Sequence, residues 1–93
     1  MQDTFDWSDE KNIQLKERHG FGFERIGIAI SEGGFLDERE HPNVRKYGHQ
    51  LQLVIRIDGY AWLVPLVRDG EKRFLKTMFP SRDATKQYLG KLQ

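Results

Sequence analysis

Ninety-three residues suffice for one modest core without covalent staples, and the absence of cysteine excludes disulfides, thiolate metal ligands and a cysteine nucleophile. The formal net charge is only +1, yet residues 1–44 hold five Lys/Arg against ten Asp/Glu (−5) and residues 45–93 hold ten against four (+6). Such a split predicts either a basic surface for an anionic partner or two halves that neutralise each other across the fold.

The opening MQDTFDWSDEKN is acidic and lacks an apolar signal-peptide stretch, and no apolar run approaches membrane-spanning length, so a cytoplasmic protein with no membrane partner is expected. Ser8 is a good N-cap for a first helix through DEKNIQLKERH, with Asp9 and Glu10 in the favourable first turn and Gly20 as the stop. Ile13 and Leu15 give it only a thin apolar stripe, which places Phe5 and Trp7 beneath a surface helix. A second helix is predicted over 23 to about 32, with Phe23, Ile26, Ile28 and Ile30 inward and Gly33-Gly34 ending it.

Beyond the glycines the period changes. Residues 35–40 read as a short charged strand at a sheet edge, and His41-Pro42-Asn43 starts a loop. Residues 49–57 alternate, placing Leu51, Leu53, Ile55 and Ile57 on one face. Asp58-Gly59 predicts a hairpin into a strand over 60–68, and Asp69-Gly70 predicts another into a strand over 72–79. Ser81 then caps a last helix running to about 89. Pro65 would break the ladder of a central strand, so a bulge or bend is expected there. The reading is one α+β domain over 1–93, with two N-terminal helices, a four-stranded mainly antiparallel sheet and a C-terminal helix.

His19, His41 and His49 fall in three segments without ligand spacing, so neither a metal site nor a cofactor is expected. A GxSxG elbow and the phosphate-binding glycine loops are absent too. Lys76 and Arg82 bracket a strand end and a helix start, where a phosphate can dock if they converge in a cationic hollow. Arg82 in a first helical turn opposes the dipole, which favours a functional role, whereas Lys76 fits better an exposed strand lysine whose stem covers apolar surface, a commoner fate than catalysis. The chemistry open to such residues is metal-free phosphodiester cleavage. An RNA 2′-hydroxyl attacks phosphorus while a base takes its proton, cations hold the extra charge and an acid protonates the leaving 5′ oxygen.

DWSDEKNIQLKERHGFGFE and the distant PSRDATKQYL together resemble the BrnT-like toxin family. Asp6-Trp7, Lys11, Arg18-His19-Gly20, Phe23-Glu24, Arg82, Ala84 and Thr85 carry the resemblance, and His41 is set against a histidine that follows the family's first strand. The resemblance implies a RelE-like ribonuclease fold, translation inhibition by RNA cleavage, and a ribbon-helix-helix antitoxin through which alone DNA would be reached. On that reading Lys76, Arg82 and His41 form the catalytic site, and Arg45, Lys46, His49, Arg56 and Arg73 guide RNA. The other reading is a non-catalytic module whose basic face binds an antitoxin-like protein or nucleic acid.

Overall fold

Asp58-Gly59 shows how closely local chemistry sets this chain's path: both residues have positive φ, 53° and 80°, as a type I′ turn requires. They join β3 (Gln50–Ile57) to β4 (Tyr60–Asp69) in an unbroken antiparallel ladder from Ile57↔Tyr60 to Gln50↔Val67. The computed structural model describes residues 4–40 and 50–90. Around this hairpin the described residues form an α+β arrangement of three helices and one mixed sheet in the order β1-β5-β4-β3-β2, with a sixth short strand also on β4.

β2 (Phe35–Glu40) lies antiparallel to β3 at one edge of that order, as its charged sequence predicts, with a register shift between Phe35 and Asp37. The second hairpin closes one residue later than expected. Asp69 pairs with Lys72, leaving Gly70 and Glu71 as the loop, with Gly70 at φ 64°.

Two corrections concern the sheet. Thr4–Trp7 is a strand, β1, parallel to β5 (Lys72–Leu75) at the other edge, so the first helix is preceded by a sheet element. The strand expected over 72–79 is two: β5 pairs with Leu66–Asp69, and β6 (Phe79–Pro80) pairs with Trp62 and Leu63. The cause is Pro65. Its neighbours at odd positions of β4 point their backbone polar groups toward this edge, and Pro65 offers only its carbonyl, which accepts from Lys76 N at 2.8 Å. With no N–H there, the ladder lapses over 76–78 and resumes at Leu63.

The pleat sends side chains to two cores. Leu53, Ile55, Ile57, Val64, Leu66 and Leu75 face α1 (Asp9–His19) and α2 (Glu24–Ser31), meeting Leu15, Phe23, Ile26 and Ala29. Each of these buried Leu, Ile, Val and Phe side chains stabilises the fold by about 1.5–3 kcal/mol. Phe5 and Trp7 join this core from β1, and Trp7 stacks on Phe23 at 5.4 Å between ring centroids. Ile28, expected inward, is half exposed, because α2 presents Ile26, Ala29 and Ile30 to the sheet instead. Val54, Ala61 and Leu63 face the opposite side and pack on Ala84, Tyr88 and Leu89 of α3 (Arg82–Leu89).

Both long-helix caps follow the sequence. Ser8 Oγ accepts from Lys11 N at 3.2 Å, and Gly20 takes the left-handed conformation at φ 87°.

Candidate functional site: the α3 face of the sheet

Ala61 fixes where α3 begins. Its carbonyl accepts from Ser81 N at 2.9 Å, and its N–H donates to Thr85 Oγ1 at 2.9 Å. Thr85 in turn donates to Ser81 O at 2.7 Å, while Ser81 Oγ caps the helix by accepting from Ala84 N at 3.0 Å. Two backbone groups of one buried sheet residue thus dictate the position of Arg82, the first residue of the helix.

The other end of α3 is held by a polar network that sequence reading missed. The Tyr88 hydroxyl donates to Asp37 Oδ2 at 2.5 Å. Arg39 donates from Nη1 to Gln87 Oε1 at 3.2 Å and to the Tyr88 oxygen at 3.4 Å, and from Nε to the buried Gln52 at 3.2 Å. Its guanidinium also lies 5.6 Å from the Tyr88 ring centroid. Donation to the Asp37 carboxylate stabilises the protonated phenol, and partial burial adds to this, so the Tyr88 hydroxyl titrates above its ordinary range near 10. The signal lay in FLDERE, where the alternation puts Asp37 and Arg39 on one face of an edge strand.

The charge asymmetry resolves partly by internal pairing. Arg73 forms a bidentate pair with Glu38, at 2.9 Å from Nε and 2.8 Å from Nη2, joining β5 to β2 across the two strands between them. Expected to guide RNA, Arg73 is instead 8% exposed and engaged within the sheet. Lys72 with Asp6 (4.0 Å) likewise pairs a cation of the basic half with an acid of the acidic half, whereas Arg25 with Asp58 (3.4 Å) pairs them in the opposite sense.

Four of the remaining cations lie on the α3 side, while Arg68, with the parity of Leu66, lies on the other. Arg56 has the parity of Val54, which faces α3. Phe74 stands opposite Val67 on that same side, and Lys76 Nζ sits 5.6 Å from the Phe74 ring centroid. Arg82 and Lys86 are one helical turn apart on α3. All four cations are exposed, and among the described residues none of them forms an ion pair.

Lys76 and Arg82 therefore share the α3 side but stand on open surface. Two hollows are lined by other residues: one of about 240 Å³ by Arg25, Glu32, Gly34, Arg56 and Asp58 among others, and one of about 330 Å³ by Lys16, Phe21, Glu24 and Ile28 among others. His41, Arg45, Lys46 and His49 lie outside the described residues, as does the loop that begins at His41. His19 packs edge-on to Trp62 at 4.9 Å, with its Nε2 buried and without a hydrogen-bond partner among the described residues. Among the described residues no group of three His, Cys, Asp or Glu side chains is placed to hold a metal ion. No helix there is long and apolar enough to cross a membrane.

Compared with known proteins, the chain matches no family model, no curated protein and no solved structure.

Proposed function

We propose that the chain is a metal-independent endoribonuclease with a RelE-like fold, the toxin of a type II toxin-antitoxin pair, acting in the cytoplasm to stop translation by RNA cleavage. The observation that carries the reading is the four exposed cations on the α3 face that form no ion pair among the described residues, whereas Lys72 and Arg73 of the same half are paired with acids. A scissile phosphate lies between Lys76 and Arg82, which stabilise the charge that develops as the 2′-hydroxyl attacks phosphorus. Arg56 and Lys86 hold neighbouring phosphates, and His41 takes the hydroxyl proton. A ribbon-helix-helix antitoxin covers this face and carries the complex to DNA.

The non-catalytic reading draws on one observation: Lys76 and Arg82 stand on open surface rather than in either hollow. Induced expression separates the two. Wild type arrests growth with RNA decay, and Lys76→Ala or Arg82→Ala abolishes both, each removing about 10²-fold in cleavage rate as for loss of one transition-state contact. Harmless accumulation of folded wild-type protein contradicts the nuclease and leaves the binding module.

A further inference from the structure

Four large apolar side chains of the described residues are exposed: Ile13, Ile28, Phe35 and Phe79. Ile13 and Ile28 lie on α1 and α2, and Phe35 stands opposite Ile55, which faces those helices. Phe79 differs. It pairs with Leu63, whose side chain faces α3, so of the four only Phe79 belongs to the side that carries Lys76 and Arg82. It is 40% exposed, yet its backbone is fixed in the β4 ladder two residues before the Ser81 cap.

A held ring three residues along the chain from each of two exposed cations, neither ion-paired among the described residues, matches one chemistry. We propose that this surface takes single-stranded RNA by stacking a base on Phe79 while Lys76 and Arg82 hold the phosphates on either side. The inference deepens the nuclease reading and rests on it for the choice of ligand. A duplex keeps its base faces stacked inside the helix, so it can offer the cations phosphates but cannot offer Phe79 a base. Stacking accepts any base, which gives strand selectivity without sequence selectivity. The Phe74 ring is occupied by the Lys76 ammonium and serves to position that cation rather than to stack.

The test is fluorescence anisotropy with a labelled 2′-O-methyl oligoribonucleotide, which cannot supply the attacking hydroxyl and so reports binding apart from cleavage. Phe79→Leu keeps the apolar bulk and loses the ring, and is expected to weaken binding about tenfold. Phe79→Trp retains wild-type affinity or improves it, Phe35→Leu binds as wild type, and the duplex of the same sequence binds at least tenfold more weakly. Equal affinity of wild type and Phe79→Leu overturns the proposal. So does equal affinity for duplex and single strand, or capture of an acidic peptide with no binding of either strand. Failure of the nuclease reading registers separately, as harmless expression of a protein that still shows ring-dependent binding. RNA cleavage in cells by a protein indifferent to Phe79→Leu overturns stacking alone.

Discussion

At the scale of single residues, two glycines show how tightly the chain is committed. A Cβ on Gly34 would sit 2.6 Å from Arg56 O and 2.8 Å from Ala29 O, both backbone atoms that cannot step aside. Gly34→Ala is therefore expected to cost about 2–4 kcal/mol, read as a lower urea midpoint at unchanged slope. Gly22 is as constrained, because the Asn12 amide occupies the space its Cβ would need. Asn12 is buried there, accepting from Phe23 N at 2.7 Å and donating to Glu24 at 2.9 Å.

Glu24 titrates below its ordinary 4.5, chiefly through a hydrogen bond from its own backbone N–H and then through Asn12 and Lys16, against the opposing effect of burial. Its contribution to stability is present above pH 4.5 and is lost as pH falls through the lowered folded value. Tyr88 runs the other way: its raised folded value makes the contribution present below pH 10 and lost as pH climbs beyond. Denaturant titrations between pH 9 and pH 11 are expected to show this alkaline loss in wild type, and Tyr88→Phe is expected to remove it.

At the scale of elements, helix ends and hairpin turns were legible because each is written in one or two residues: Ser8, Gly20, Asp58-Gly59 and Ser81. The strand Thr4–Trp7 was not, since four residues that pair only with β5 carry too short an alternation to signal themselves, and its partner lies some seventy positions away. Pro65 signalled a break in its own strand, but its effect falls on the neighbouring one, splitting 72–79. The seat of α3 was likewise hidden, for Thr85 reads as an ordinary helical residue until its hydroxyl is found bridging Ser81 and Ala61. Thr85→Val keeps the shape and strands the buried Ala61 N–H, so a loss of about 1–3 kcal/mol is expected. Hydrogen exchange is expected to localise the loosening to α3, with β3 and β4 amides least affected.

At the scale of the whole molecule, sequence alone showed that charge was segregated but not how much of it cancels. Arg73 illustrates the limit: it reads as an outward cation of a basic half, yet its β5 position and the sheet order bring it to Glu38. Arg73→Ala leaves the Glu38 carboxylate, 20% exposed, without this partner and is expected to cost about 3 kcal/mol in urea unfolding. Lys76 and Arg82, by contrast, were expected to converge in a hollow between a strand end and a helix start; both are exposed on the α3 side, and neither lines the two hollows described above. If that side grips a polynucleotide, affinity falls with salt, and removing one phosphate contact with Arg82→Ala flattens the log–log slope by roughly 0.7 for a single strand.

The most direct measurement is cleavage of an RNA oligonucleotide by the purified protein in excess chelator, with the product ends identified by mass. Attack by the 2′-hydroxyl predicts a 2′,3′-cyclic phosphate and a 5′-hydroxyl, undiminished by chelation and abolished by a single 2′-deoxy substitution at the cleaved position or by Arg82→Ala. Intact RNA after prolonged incubation with folded wild type, or cleavage that Lys76→Ala and Arg82→Ala leave unchanged, would contradict the assignment of this face as a nuclease site.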